Sequence, residues 1–310
     1  IARTPALCAE VTLAAVDALG ADGAVLYADI MLLVEAMGVE IELTSAGPVL
    51  PTPVRTRAEI DALRPVDAES DLGFVLEAIR LVRPELDGRA AVVGILGGPF
   101  TLAAYLVEGA PSRDQLGLRT LMHARPADWA ALAEALTVAS IGYARAQVAA
   151  GAEIVQLFDT WAASLTASEY ARFVAPYARR ILAAIDVPSV HYVARSAPIL
   201  DELAATRPTV VGLDSRQSLA DARRRLGPAV PVQGNLDPAL VAAGWAQAAQ
   251  GTEAVLAANG GRVGHVFNLG EAAPRDVEPQ RLRDVVALVH DRTAGLATEP
   301  AHMETVDALA

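Results

Sequence analysis

The sequence predicts an α/β protein whose strands run parallel in one sheet, and three observations carry that reading. Seven short apolar runs punctuate the chain, at residues 23–27, 91–96, 153–158, 188–193, 209–213, 230–233 and 264–269. Between them lie longer stretches, such as 128–150, 167–185, 197–206 and 219–226, whose apolar residues recur at three and four. The chain has 310 residues, 53% of them hydrophobic, which accommodates one parallel barrel of about 250 residues.

Most of the seven runs are continuously apolar rather than alternating. Strands covered by helices on both faces read this way, and strand–helix alternation implies βαβ units. After the first run, residues 38–54 read as a hairpin insertion: Val39, Ile41 and Leu43 alternate, and a turn follows at Ser45–Pro48. The second run enters Gly97, Gly98 and Pro99, a turn tight enough for the next helix to pack closely. Seven strands leave an eight-stranded (β/α)8 barrel of the TIM type one short. Ile1 is not an initiator methionine, no signal-peptide pattern follows it, and the helix from about Thr4 reads like the middle of a domain. An upstream segment supplying the first strand is therefore expected. An open doubly wound sheet is the alternative, although no G-x-G-x-x-G marks a strand–helix junction. Residues 1–295 read as a single domain, and residues 296–310 as a tail without periodicity.

Composition removes several function classes. The net charge of −12 disfavours nucleic acid, which needs a basic surface. No run of ~18 uncharged apolar residues offers a membrane span. There is one cysteine, Cys8, and all 25 basic residues are arginine. Intrachain disulfides, thiolate zinc clusters, Schiff-base catalysis, lysine-bound pyridoxal phosphate and the P-loop lysine are thereby excluded. His191 and His265 stand alone on their runs, so no metal set emerges, and no G-x-S-x-G elbow marks a serine hydrolase.

Reactive groups of a parallel barrel sit at the C-terminal ends of its strands. Those ends are polar here: Asp29; Gly97 to Thr101 with Tyr105 beyond; Asp159, Thr160 and Trp161; His191 with Arg195; Asp214 with Arg216; Asn235 with Asp237; Asn268 with Glu271. Each has a plain structural reading. Asp29 and Thr160 could cap helices, Tyr105 could be a half-buried core aromatic, His191 a satisfied core histidine, and Asn235 and Asp237 a turn and helix start. Arg113, Arg195, Arg216 and Arg275 could bind an anionic ligand if they face the mouth, because local charge outweighs net charge at contact range.

Several segments together resemble the uroporphyrinogen decarboxylase family: DGAVLYADIMLLVEA (22–36), GGPFTLAAYLVEGAPS (97–112), VQLFDTWAA (155–163), VGLDSR (211–216), VQGNLDP (232–238) and GHVFNLG (264–270). The resemblance implies a distorted (β/α)8 barrel, a homodimer and a cytoplasmic enzyme of porphyrin and heme biosynthesis. It implies decarboxylation of the four acetate arms of uroporphyrinogen III, a tetrapyrrole, to coproporphyrinogen III, with no cofactor. Asp29 matches the family's catalytic aspartate, Tyr105 a substrate-placing tyrosine, and Thr160 a position holding serine or threonine. Three departures stand out. The family's arginine-bearing R-Q-A-G-R segment is absent, and with those arginines and a barrel strand lacking the chain as it stands is expected to be weak or inactive. Glu271 occupies a histidine position, where a carboxylate should repel an anionic substrate or take up a proton. Val193, Ala194, Arg195 and Ser196 replace a glycine-rich turn, and this bulkier, positive turn could narrow the mouth or, through Arg195, add an anion contact. The competing readings are a catalytically impaired relative that binds a tetrapyrrole or a protein, and a zinc-dependent methyltransferase of the same superfamily.

Overall fold

The computed structural model describes residues 1–45 and 47–296. The apolar runs form β1 (Gly23–Val25), β4 (Ala91–Gly97), β5 (Ile154–Phe158), β6 (Ser189–Tyr192), β7 (Val210–Gly212), β8 (Val232–Gln233) and β9 (His265–Val266). The insertion forms an antiparallel hairpin of β2 (Glu42–Thr44) and β3 (Gly47–Val49), with Glu42 opposite Val49. The main sheet has the order β1-β4-β5-β6-β7-β8-β9, and every neighbouring pair is parallel. Helices fill the crossovers, among them Gly73–Leu86 before β4, Pro126–Ala150 before β5 and Leu219–Leu226 before β8.

One side-chain contact fixes the curvature of this sheet. Gln233 on β8 donates from Nε2 to Gln156 Oε1 on β5, at 3.3 Å. The two strands are separated by β6 and β7, so a flat sheet would hold them roughly 14 Å apart. The sheet is therefore curled in the manner of a TIM-type barrel, and the doubly wound alternative falls away. Side-chain alternation then follows from the register. Ile95, Gln156 and Val190 share one inward row, and Gly97, Phe158 and Tyr192 the next. The intervening Leu96, Val155, Leu157 and Val211 point outward and are buried beneath the helices. Among the described residues β1 and β9 are not paired with each other, and the inward-facing Val25 and Val266 at these edges stay about half exposed. The helical layer does meet there. Pro5–Leu19 packs on Pro279–Thr293, and His290 Nε2 lies 2.9 Å from Asp22.

Two helices differ from their sequence reading, each for the same cause. The stretch 167–185 breaks at Val174 into Ala167–Phe173 and Ala175–Ala183, because Pro176 has no N–H to continue the helix. The stretch 197–206 opens as a 3₁₀ turn, Ala197–Ile199, around Pro198 before the helix Leu200–Ala204. Of the tail read at 296–310, residues 297–310 lie outside the described residues.

Candidate active site

The helix Pro99–Glu108 starts at the C-terminal end of β4 with Gly98 as its N-cap, a residue with no side chain to offer. Asp159, from the end of neighbouring β5, supplies the missing acceptor: Oδ1 takes the Thr101 N–H at 2.7 Å. Gly98 is what lets the two strand ends approach, since a Cβ there would lie 2.2 Å from Asp159 Cβ. Asp159 is fully buried, and among the described residues its Oδ2 has no partner. Burial pushes its carboxyl up to about 6, opposed by the donors of Thr101 and the Phe100 N–H. Thr101 Oγ1 in turn accepts from the Trp161 N–H at 3.2 Å. The helix that carries Tyr105 and the turn that carries Thr160 are thus fastened to each other.

This fastening brings the Tyr105 and Trp161 rings to 4.4 Å between centroids, tilted by 40°. Burial raises the Tyr105 hydroxyl above its ordinary range, and the negative charge of Asp29 raises it further. Asp29 itself is exposed, just past β1, and its Oδ1 accepts the Met31 N–H at 2.8 Å in an Asx turn. The next helix, Leu32–Ala36, has Met31 as its N-cap, so Asp29 is not that cap. Thr160 is half-buried and caps no helix either; Trp161 precedes the 3₁₀ turn Ala162–Ser164. Asp29, Tyr105 and the Thr160–Trp161 turn therefore gather along the ends of β1, β4 and β5.

The ends of β6, β7 and β9 form a second cluster. Tyr192 points inward, its ring 6.1 Å from that of Phe158, and its hydroxyl donates to the Gly270 carbonyl at 2.8 Å. Buried Asp214 accepts the N–H of Ser196 at 3.2 Å and of Arg216 at 2.9 Å, tying two rim loops together. Glu271 stands between two donors: Ser215 Oγ donates to Oε2 at 2.7 Å, and Arg216 Nη1 to Oε1 at 2.9 Å. The isolated repelling carboxylate expected from the sequence is instead neutralised by Arg216. Arg195 has φ +62°, a left-handed conformation that favours glycine. It is exposed, and among the described residues its side chain has no hydrogen-bond or ion-pair partner.

Other polar strand ends serve the fold. His191 points outward, fully buried, with Nδ1 2.9 Å from Thr206 Oγ1, and burial pulls its imidazole down to about 3. Asp237 caps the helix Pro238–Ala243 by accepting the Ala239 N–H at 2.8 Å. Cys8 is buried in the first helix and donates to the Tyr27 carbonyl, and burial pushes its thiol up. Among the described residues no three or more His, Cys, Asp or Glu side chains converge as metal ligands. Sequence reading missed Tyr192, which a register argument alone brings inward, and the pairing of Arg216 with Glu271.

Residues 1–292 match the family model described as uroporphyrinogen decarboxylase (URO-D). Similar curated proteins include the uroporphyrinogen decarboxylase of Syntrophotalea carbinolica, 45% identical over 94% of this chain and 86% of its own. That of Thermus thermophilus is 41% identical over 95% of this chain and 86% of its own. Among solved structures, a methyltransferase from Methanosarcina mazei superposes with a TM-score of 0.76 at 20% identity, covering 94% of this chain and 86% of its own. At that identity it speaks for the fold alone.

Proposed function

The chain belongs to the uroporphyrinogen decarboxylase family, a family of carboxy-lyases in porphyrin biosynthesis, and we propose that it removes the carboxyl groups from the four acetate arms of uroporphyrinogen III. The product is coproporphyrinogen III. An electron-rich pyrrole carbon takes up a proton, which leaves the ring cationic. The bond to the departing carboxylate then breaks, carbon dioxide leaves, and the bonding pair forms an exocyclic methylene that discharges the ring cation. A proton added to that methylene and loss of the added ring proton then give the methyl arm and restore the pyrrole. The pyrrole is its own electron sink, so this route uses no cofactor. What the protein must supply is a negative charge close to the pyrrole N–H groups while the ring is cationic.

Asp29 is that charge. Its exposed carboxylate has one oxygen engaged in a local turn, and it lies near enough to Tyr105 to act on the phenol. Tyr105 and Thr160 place the substrate from the neighbouring strand ends, and Arg195 and the Glu271 region face its acidic arms. The gathering of Asp29, Tyr105 and the Thr160–Trp161 turn at one rim is the observation that carries the proposal. Residues 1–295 act as one barrel domain in this reading, which further takes the enzyme as a cytoplasmic homodimer. A catalytically impaired binder finds no support, since Glu271 is charge-compensated and the similar relatives are decarboxylases by name.

The direct test is anaerobic incubation of the purified protein with uroporphyrinogen III, followed by oxidation and chromatography of the porphyrins. Successive products with seven, six, five and four carboxyl groups are expected. Unchanged substrate at high enzyme concentration would refute the assignment.

A further inference from the structure

Arg216 and Glu271 come from loops after β7 and β9, 55 residues apart in sequence, and meet at the mouth beside Tyr192. Both lie close enough to bear on the Tyr192 hydroxyl, which burial raises first and the Glu271 and Asp214 charges raise further, while Arg216 opposes them. The loop arrangement around them is tight. Gly270 abuts Ser215, so that a Cβ at Gly270 would lie 2.2 Å from Ser215 N, and Asp214 and Asn235 fasten the turn that presents Arg216. The backbone is therefore fixed, whereas the ion pair itself is open to solvent: the side chains are 58% exposed for Arg216 and 25% for Glu271. A pair this exposed contributes little to stability, and among the described residues its single Nη1–Oε1 contact leaves the rest of the guanidinium fork unused.

We propose that Arg216 is a specificity-determining residue that binds a carboxylate arm of the substrate in exchange for Glu271. This rests on the decarboxylase reading of the same site. An incoming carboxylate replaces one carboxylate by another on the same guanidinium, so Arg216 keeps a charged partner while Glu271, 25% exposed, turns to solvent with the Ser215 hydroxyl. A neutral arm is disfavoured by comparison, because it displaces Glu271 without giving Arg216 a new partner, a difference of the size of one exposed ion pair. Glu271 thereby holds the position against uncharged ligands and releases it to acidic ones. Ser215 Oγ keeps the displaced Glu271 carboxylate at the rim. Arg195 is exposed on the adjacent loop, next to Ser196, whose N–H binds the same Asp214.

The test compares R216A, R216K, E271Q and R216A/E271Q with the parent protein. The readouts are quenching of uroporphyrin fluorescence, which reports binding without turnover, and KM against kcat for uroporphyrinogen III. R216A is expected to weaken uroporphyrin binding and raise KM about five-fold, with a smaller effect on kcat. R216K restores part of the binding, and E271Q tightens it by freeing Arg216. In R216A/E271Q the benefit of E271Q disappears, because the two residues act on one carboxylate. Weaker binding in E271Q equal to that in R216A would overturn the proposal and leave the pair as a loop brace. So would R216A binding like the parent. Uroporphyrin binding with this pattern but no turnover in any variant would sink the decarboxylase reading and leave the exchange standing.

Discussion

The ring of Tyr105 stacks at a tilt on that of Trp161, 4.4 Å away, across two neighbouring strand ends. The stack orients the phenol without using its hydroxyl, which burial and Asp29 keep in its neutral form. Tyr105→Phe should preserve the stack and remove only the polar contact to substrate. Stability should change by less than about 0.5 kcal/mol, whereas kcat/KM should fall roughly ten-fold, the loss of about one hydrogen bond to a bound group. Thermal unfolding and steady-state kinetics on the same preparation separate the two effects. Unaltered kinetics would remove Tyr105 from the site.

Gly98 is the hinge of that arrangement, because Asp159 comes in where its side chain would be. Gly98→Ala should cost about 1–3 kcal/mol through forced displacement of Asp159. It should also reduce activity, since the helix bearing Tyr105 loses its borrowed cap. Gly142 offers a contrasting control, since an added Cβ there meets nothing within 4 Å. Gly142→Ala, on the outside of the helix Pro126–Ala150, should be neutral or stabilising. Equal melting temperatures for the two variants would contradict the packing account.

Two buried groups should pull the acid stability profile in opposite directions. Asp159 has its folded-state pKa raised to about 6 from 3.8. Its contribution is fully present below the lower value and is lost as pH rises through about 6. His191 has its folded-state pKa lowered to about 3 from 6.5. Its contribution is fully present above 6.5 and is lost as pH falls toward 3. Asp159→Asn, which keeps an Oδ1 acceptor for the Thr101 N–H, should therefore expose a steeper loss of stability on acidification between about pH 6 and 4. His191→Gln should flatten it. Urea unfolding at stepped pH reads both slopes, and parallel profiles for all three proteins would rule the account out.

Much of this site is legible in the sequence. Continuous apolar runs mark the seven parallel strands because both faces are covered, and the polar residues that follow each run mark the mouth. What the sequence leaves open is three-dimensional. Whether His191 or Tyr192 faces inward depends on the pairing of β6 with β5, which sets His191 beside the outward Leu157 and Tyr192 beside the inward Phe158. The cap that Asp159 gives to Thr101 spans 58 residues, and the Arg216–Glu271 pair spans 55; neither leaves a local pattern. Taken alone, Glu271 reads as a repelling charge, and only its partner changes that reading. The break at Val174 is available from Pro176, yet helical periodicity on both sides masks it.

In the proposed reaction Asp29 supplies the negative charge that holds the substrate ring while it is cationic. Asp29 is exposed, and among the described residues its one hydrogen bond is Oδ1 accepting the Met31 N–H, which asparagine can also accept, so Asp29→Asn should fold like the parent. The decisive measurement is the turnover of uroporphyrinogen III by Asp29→Asn beside the parent protein, with melting temperatures taken on both. A fall in kcat of about 100-fold or more at a nearly equal melting temperature is the expected result. An Asp29→Asn protein that releases carbon dioxide as fast as its parent would contradict the account.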